Sequence, residues 1–527
     1  MRTARTLHAL AWRQVRVSTI AMTLFAVAAV EVGVSSFSAS GGAAGLAGTA
    51  ALLKNPAMVA LYGRATNLDT AGALVAWKLG MWLALAVALW AGLAATRLVR
   101  GAEDDGTAEL VVAGPGGRRA LIAAIITVLA EAGVLVGAAI ALSLLGGGQA
   151  RGDSLLYGAC FTGLAWCGSA LGLMSSELVA PRRSASQAAL GALGLAYLAR
   201  MVIDGSSGFH ALIWLTPFGW LENAGAFQHR DAVAVVPFFV VAPILTVVAV
   251  AVARERDVGR ALWTRADRSR ARETWLATPW RFAWRERRAT LTVWGAGMVL
   301  WGLVLGYLTN AIVAFARSDP GYVALLDKWG LGVMITARGF LAEEGAIVAV
   351  GLSFLVVTLV VMLGQDGQRG RLDVPLAVGT SRPRWYASTV VTALVGTVAV
   401  AALSALALWA GVEASGTSMG LAAPMKALLN AATPVPLVLG LTAVAVALVP
   451  RFAYVVMSLL LGVSYLVAVL GPALGWPHLV IDLSLFHYPA LVPALPPNWG
   501  ADVMFLALGA VATGVGVAAF TRRDLAL

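Results

Sequence analysis

The sequence predicts an all-α polytopic membrane protein, and three observations carry that prediction. Of its 527 residues, 59% are apolar and only 12% are Asp, Glu, Lys or Arg, about half of the roughly 25% found in soluble domains. Apolar runs of about 20 residues, long enough to cross a bilayer as helices, recur along the whole chain. These runs lack the alternation of a β-barrel. A soluble enzyme and a disordered chain are therefore excluded.

Apolar runs bounded by charges and turn residues predict twelve transmembrane helices. The first six are expected at about 17–37, 71–95, 120–145, 155–177, 186–203 and 232–253. The second six are expected at about 290–315, 345–363, 386–410, 431–449, 453–471 and 502–520. The first run is long and follows an extended basic region, so we expect a retained helix in preference to a signal peptide.

The distribution of basic residues predicts the orientation. The net charge of +11 arises from 38 basic and 27 acidic residues. The termini and the even-numbered connections hold 28 of the 38 basic residues, and the odd-numbered side holds the other 10. By the positive-inside rule, both termini and the even-numbered connections are expected on the cytoplasmic side of the membrane. Arginines at helix ends facing anionic lipid also explain the basic character better than nucleic-acid binding does.

Self-similarity at a near-constant offset predicts an internal duplication. The segment Ala11–Arg16 recurs as Ala283–Arg288, and Ala71–Ala76 resembles Glu344–Ala349, at offsets of 272 and 273 residues. Two parallel repeats imply pseudo-symmetric halves with a substrate path between them. The predicted domains are a first six-helix half at 1–253, a cytoplasmic Arg-rich linker at 254–289, and a second six-helix half at 290–527. The linker also carries the second of two elbow helices, which are helices expected to lie in the membrane interface before the first span of a half.

Each predicted half opens with a segment that carries both Arg and Trp, at 3–16 and 275–288. This composition is typical of an amphipathic helix that lies in the membrane interface. The alternative is an ordinary juxtamembrane flank. Because the pattern occurs twice, we expect an interfacial helix before the first span of each half.

The connection after the second span of each half carries a shared pattern, at 100–121 and 364–385. A glycine is followed by an acid three residues on, an alanine four further and an arginine five further. The matching positions are Gly106, Glu109, Ala113 and Arg118, and then Gly370, Asp373, Ala377 and Arg382. We expect a short surface helix, capped at Gly106 or Thr107, that docks a cytoplasmic partner. The alternative is a solvated loop that obeys the positive-inside rule.

The repeated pattern resembles the coupling helix of ABC-2 type exporter permeases. That motif, E-x-x-G-x-x-E-x-x-x-A-x-x-x-x-R, also takes in Glu103, whereas Gly367 stands at the corresponding position of the second copy. The whole layout is similar to actinobacterial antibiotic and multidrug permeases of the tetronasin type. The resemblance implies an exporter of hydrophobic antibiotics, drugs or lipid-like molecules that works by alternating access between its halves. It also implies that the paired interfacial segments are elbow helices.

The sequence contains no G-x-x-x-x-G-K-[ST] loop that could cradle nucleotide phosphates. The resemblance therefore implies a transport subunit that is not itself an enzyme and binds no cofactor. ATP and Mg are expected on a separate cytoplasmic ABC ATPase, in two copies. Cys160 and Cys167 lie in one apolar segment, where we expect buried thiols, and no metal site is predicted.

Candidate residues for the substrate path come from two signals. Glu31 and Glu131 fall inside predicted spans, where a carboxylate is a functional hypothesis by default. Either could serve a cationic substrate or a proton, and the alternative is a packing role. The resemblance implies that spans one, two and five of each half line the path. Large flexible or aromatic candidates on those spans are Met22, Phe25, Trp77, Met81, Tyr197, Met201, Trp294, Met298, Trp301, Tyr454 and Met457.

Two other classes of membrane protein would explain parts of this sequence. A proton-coupled drug transporter of the major facilitator type also has twelve spans, and Gly364, Asp366, Gly370 and Arg371 resemble its loop signature. The first-half loop fits that signature poorly. A polytopic glycosyltransferase would need a catalytic acid in its first outer connection, where Asp69 stands, but gives no reason for a duplication.

Overall fold

The computed structural model describes most of the chain and is helical throughout the described part, in which no strand occurs. The described residues are 2–39, 41–46, 53, 56–114, 117–180, 182–205, 210–255, 262, 278–318, 323, 332–368, 381–473 and 476–522. The chain divides into two compact units, Met1–Arg268 and Ser269–Leu527. The predicted domain boundaries at 253/254 and 289/290 stay a prediction.

The helices of the first unit follow the predicted order, with short helices between the long ones. They are α1 (Arg2–Ala39), α2 (Gly42–Leu46), α3 (Pro56–Tyr62), α4 (Ala71–Lys78), α5 (Gly80–Thr96), α6 (Ala102–Asp104), α7 (Thr107–Val112), α8 (Gly117–Gly146), α9 (Arg151–Leu178), α10 (Arg182–Gly205), α11 (Pro217–Ala224) and α12 (Val236–Glu255). A π-helical turn at Arg97–Gly101 joins α5 to α6, and 3-10 turns precede α11 and α12 at His210–Leu215 and Ala232–Val235.

The helices of the second unit are fewer and longer. They are α13 (Pro279–Ser318), α14 (Ala337–Gln368), α15 (Arg382–Ala414), α16 (Ala422–Ala431), α17 (Val435–Leu448), α18 (Ala453–Ala473), α19 (His478–Ile481) and α20 (Trp499–Arg522). A 3-10 turn, Gly332–Ile335, precedes α14.

Eleven helical segments of the described chain are long and apolar enough to cross a membrane. They overlap eleven of the predicted spans. The second predicted span, 71–95, is divided at Leu79, and the membrane-crossing segment there is Gly80–Asp104. At the remaining predicted span, 453–471, the apolar stretch Ala453–Val469 is shorter. A multi-pass, all-α membrane protein is therefore confirmed, whereas the arrangement of twelve spans in two halves stays a prediction.

The predicted elbow segments are not separate helices in the described residues. Segment 3–16 forms the first turns of the 38-residue helix α1, and residues 279–288 begin the 40-residue helix α13. Neither Gly nor Pro occurs from Arg2 to Val32 or from Trp280 to Trp294, so nothing interrupts the helical hydrogen bonds. The prediction of an independent elbow helix is corrected to an N-terminal extension of a long helix.

Close helix contacts in the first unit depend on glycine. In the contact between α5 and α9, a Cβ atom on Gly168 would lie 2.3 Å from the carbonyl oxygen of Ala88. In the contact between α8 and α9, a Cβ on Gly137 would lie 2.4 Å from the carbonyl oxygen of Gly158. These distances are far inside van der Waals contact, so the backbones meet directly, as small residues allow in membrane helices.

The second unit is built on the same kind of contact. A Cβ on Gly306 of α13 would lie 2.3 Å from the carbonyl oxygen of Leu408 of α15, and a Cβ on Gly440 of α17 would lie 2.6 Å from that of Gly509 of α20. In each unit the first long helix packs on the third, the second on the fourth and the fourth on the sixth. This packing order is the one expected of duplicated halves.

Candidate functional site

A short surface helix lies in the first connection, where the sequence predicts one. Helix α7 begins after Gly106, whose φ of +70° favours glycine because a side chain strains this left-handed conformation. The hydroxyl of Thr107 donates a hydrogen bond to the carbonyl of Ala102 at 3.1 Å. Ala108 is buried, whereas Leu110 is 78% exposed and Glu109 is exposed. The helix therefore offers an apolar side chain and an acid to the outside.

Glu103, the first acid of the predicted docking motif, turns inward. Its Oε2 lies 2.7 Å from Nη1 of Arg100, and the Glu103 side chain is only 8% exposed. Arg100 is buried in the π-helical turn, and its Nε also donates to the backbone carbonyl of Ser176 on α9. Glu103 thus pairs with Arg100 within the first unit in preference to facing a partner.

Further contacts anchor this connection to the neighbouring helices. Oδ2 of Asp104 accepts a hydrogen bond from the backbone N–H of Arg182 at the start of α10, at 3.1 Å. A cavity of about 50 Å³ lies beside α7, and Glu103, Arg118 and Glu177 all line it. Arg118, predicted for docking, therefore faces this internal cavity, whereas Ala113 at the end of α7 is exposed.

The second copy of the pattern is largely outside the described residues. Gly370, Asp373 and Ala377 lie in the segment 369–380, outside the described residues. Arg382 is described and begins α15. The geometry of a second docking element therefore stays a prediction.

The intramembrane carboxylate Glu131 has partners that its sequence position does not reveal. Its Oε2 accepts a 2.7 Å hydrogen bond from Nε1 of Trp12. Nε2 of His8 lies 3.0 Å from Oε2 and 3.2 Å from Oε1. His8 and Trp12 are both on α1, and Glu131 is near the middle of α8. The side chains of His8 and Glu131 are 34% and 43% exposed.

Glu31 occupies a second contact between the same two helices. The hydroxyl of Ser143 on α8 donates a 2.6 Å hydrogen bond to Oε1 of Glu31 on α1. Glu31 is exposed and lies seven residues from the end of the span Thr3–Ser38. Both predicted intramembrane carboxylates therefore have polar partners and remain accessible.

The predicted aromatic and methionine residues separate into two groups by exposure. Those that are buried within their own unit are Trp77, Met81, Tyr197, Met201, Met298 and Met457. Those that are partly or well exposed are Met22, Phe25, Trp294, Trp301 and Tyr454. The buried members serve packing in this conformation; for example, the rings of Tyr197 and Phe218 meet edge to face at 5.2 Å.

A larger cavity of about 500 Å³ lies in the first unit between α8, α9 and α12. Ile126, Trp166 and Thr246 line it, and Arg254 at the end of α12 is its one charged lining residue. None of the predicted path residues lines either of these two cavities. Among the described residues, no group of three or more His, Cys, Asp or Glu is placed to hold a metal ion.

The sequence interpretation missed a buried charge cluster on α10. Arg200 is fully buried; its Nε lies 2.6 Å from Oδ2 of Asp204 and its Nη2 lies 2.9 Å from Oε2 of Glu222. Nη1 also donates to the carbonyl of Ala60 at 2.9 Å. An Arg and an Asp four residues apart in an apolar helix was the available signal.

A buried carboxylate in the second unit was also missed. The predicted span began at residue 345, but α14 begins at Ala337 and takes in Glu344. Glu344 is only 6% exposed. The acids Glu343 and Glu344 bound the apolar run in the sequence, so the predicted span begins after them.

Comparison with known proteins relates this architecture to drug-efflux permeases. The family described as "Multidrug efflux system permease Rv1217c, C-terminal domain" matches residues 276–521. The chain is also similar to the multidrug efflux system permease protein Rv1217c of Mycobacterium tuberculosis (strain ATCC 25618 / H37Rv). The two are 29% identical over 488 residues, covering 91% of this chain and 87% of the relative.

The two similarities can be placed on the helices of the two units. The family match begins just before α13 and ends within α20, so it takes in the long helices of the second unit. The alignment with the mycobacterial relative covers most of the whole chain and therefore extends through both units.

Proposed function

We propose that this chain is the membrane-spanning permease subunit of a multidrug efflux system. Its cargo would be hydrophobic antibiotics, drugs or lipid-like molecules taken from the cytoplasm or the inner leaflet. The observation that carries the proposal is the 29% identity, over 91% of this chain, to a protein named as a multidrug efflux permease. The apolar helices and the polytopic layout support it.

The proposed energy source is ATP hydrolysed by a cytoplasmic ABC ATPase, in two copies, that binds ATP and Mg. The chain lies in the bacterial plasma membrane with both termini cytoplasmic in this proposal. One ATPase would seat on α7 and the other on the connection that includes Asp373. The exposed Leu110 and Glu109 support docking at α7, since a protein interface combines an apolar core with a polar rim.

The contacts around α7 suggest how docking would be transmitted. Arg100 links the connection to α9, and Asp104 links it to α10. A displacement of α7 by ATP-driven closure of the ATPases would therefore move the cytoplasmic ends of these helices. Alternating access between the two halves would follow from this movement.

Co-purification with a cytoplasmic ABC ATPase of the same organism, co-expressed with this chain, tests the proposal. A Glu109→Arg/Asp373→Arg variant should fold but lose the ATPase, because both proposed docking elements change charge. Leu110→Glu should weaken binding as well. The control is Glu255→Arg, since Glu255 is an exposed acid at the end of α12, and it should bind normally.

Transport in proteoliposomes tests the energy source separately. Efflux of a drug should require both the ATPase and ATP. Efflux driven by a proton gradient, without any ATPase, would overturn the proposal and favour a major-facilitator type of transporter. Stoichiometric ATPase binding by the Glu109→Arg/Asp373→Arg variant would overturn the docking assignment.

A further inference from the structure

Glu131 lies on the exposed face of a membrane-spanning helix. It is the one acid of α8, fourteen residues after Gly117 and fifteen before Gly146. Its neighbours on that face are apolar or uncharged and exposed, among them Thr127, Val134 and Leu135. The Glu131 side chain is itself 43% exposed, so the contacts with His8 and Trp12 cover it only in part.

This placement is costly if the face meets hydrocarbon. A carboxylate at the centre of a spanning helix costs about 2.5–3.5 kcal/mol on insertion scales, and such groups face a cavity or a polar partner. Trp12 is a neutral donor, and the His8 imidazole is the other polar group within hydrogen-bond distance of the Glu131 carboxylate among the described residues. A carboxyl group exposed at this depth, with Trp12 and His8 covering it only in part, therefore favours a polar surrounding over lipid for this face of α8.

The geometry leaves room for a further contact to the carboxylate. Two carboxylate oxygens offer about four acceptor sites. The hydrogen bond from Trp12 and the shorter of the two His8 contacts both reach Oε2. Among the described residues, Oε1 has only the 3.2 Å contact from His8. The Trp12 indole, held beside the carboxylate by its hydrogen bond, offers an aromatic ring to a cation.

We propose that Glu131, Trp12 and His8 form a binding site for the charged centre of a lipophilic organic cation, such as a quaternary phosphonium or a tertiary ammonium. The carboxylate attracts the charge, the indole contacts it through its ring, and Val134 and Leu135 contact the apolar substituents. This inference rests on the proposed function and names one substrate class for it.

Equilibrium binding of tetraphenylphosphonium to the purified full-length chain tests the site. Glu131→Gln should bind it about tenfold more weakly or worse, the loss expected when a charge contact is removed. Glu255→Gln, which removes an exposed acid elsewhere in the first unit, should bind normally. Unchanged affinity in Glu131→Gln, or no binding by the unmodified chain, would overturn the site.

Cysteine labelling tests whether the face is hydrated. Cys160 and Cys167 are buried and free, so they can be replaced by Ala to give a background without reactive thiols. A membrane-impermeant cationic thiol reagent should label Glu131→Cys, since thiolates form in water. Tetraphenylphosphonium should protect Leu135→Cys, a labelling position on the same exposed face that keeps the Glu131 carboxylate. Ile244→Cys, on α12 and 55% exposed, should stay unlabelled, and an unlabelled Glu131→Cys would overturn the proposal.

These outcomes separate the site from the proposed function. Normal tetraphenylphosphonium binding together with absent ATP-driven efflux would count against the proposed function alone. Intact efflux of neutral drugs together with unchanged phosphonium binding by Glu131→Gln would count against this site alone.

Discussion

The indole Nε1 of Trp12 donates a 2.7 Å hydrogen bond to Oε2 of Glu131, 119 positions further along the chain. This contact joins the N-terminal turns of α1 to the middle of α8. It also makes a Trp that composition assigns to the membrane interface into a partner of an intramembrane carboxylate. The N-terminal segment is therefore part of the helix packing of the first unit.

Trp12→Phe should lower the free energy of unfolding of the purified chain by about 0.5–2 kcal/mol, because one hydrogen bond to the carboxylate is lost. When His8→Ala is combined with Trp12→Phe, the loss of unfolding free energy should differ from the sum of the two single losses, since both side chains bind the same carboxylate. Denaturant titration in detergent measures both effects. Trp280→Phe, at an exposed indole, is the control; an equal loss there would contradict the assignment.

Arg100→Gln should destabilise the first unit by about 3–5 kcal/mol, because it leaves the Glu103 carboxylate buried without its cation. The Arg100→Gln/Glu103→Gln variant should recover part of that loss, since neither charge remains. Thermal unfolding of the purified chain measures this. Arg97→Gln changes an exposed arginine one turn earlier and should shift stability by less than about 0.5 kcal/mol. A loss equal to that of Arg100→Gln would count against the buried pair.

Arg200→Met should also be severely destabilising, by about 3–5 kcal/mol, because Asp204 and Glu222 both lose their buried cation. Arg64→Met is the matched change at the edge of the same cluster. The Arg64 side chain is 47% exposed and its Nε lies 3.9 Å from Oδ1 of Asp204, so the expected loss is below about 1 kcal/mol. Similar unfolding midpoints for the two variants would refute this account.

Gly306→Ala should destabilise the second unit by about 1–3 kcal/mol, because the added methyl would overlap the carbonyl of Leu408 and force the backbones apart. Gly297→Ala is the control on the same helix, where a Cβ would meet open space. It should be neutral or stabilising by up to about 1 kcal/mol, since alanine favours helix. Thermal unfolding compares the two, and a stabilised Gly306→Ala would disprove close packing at this position.

The positions of the long helices could be predicted because apolar run length is encoded locally and lipid allows few other structures. The start of α14 could not be predicted, because the acid Glu344 is typical of a polar connection, and its burial is a tertiary property that the local sequence does not encode. The elbow prediction failed because Arg and Trp composition does not say whether a helix is interrupted. An unbroken segment from Arg2 to Val32 was visible in the sequence and argued for continuity.

The site was predictable in parts. The spacing of Gly106 and Glu109 predicted the short helix α7, since a capping residue followed by an acid in the first turn is a local signal. The inward turn of Glu103 was not predictable, because it depends on Arg100 and on the Ser176 carbonyl of another helix. The contact of Glu131 with His8 is likewise tertiary, and no sequence spacing encodes a pair 123 residues apart.

The glycine contact between α13 and α15 limits which motions the second unit can make. At Gly306 and Gly411 the two backbones touch, with Cβ positions overlapping main-chain atoms of the other helix. Sliding one helix along the other would drive side chains through this contact, so the pair should translate and rotate as a single two-helix lever. Any rearrangement within the second unit is then left to the side-chain contacts that α14 and α18 make, which can exchange rotamers without separating backbones.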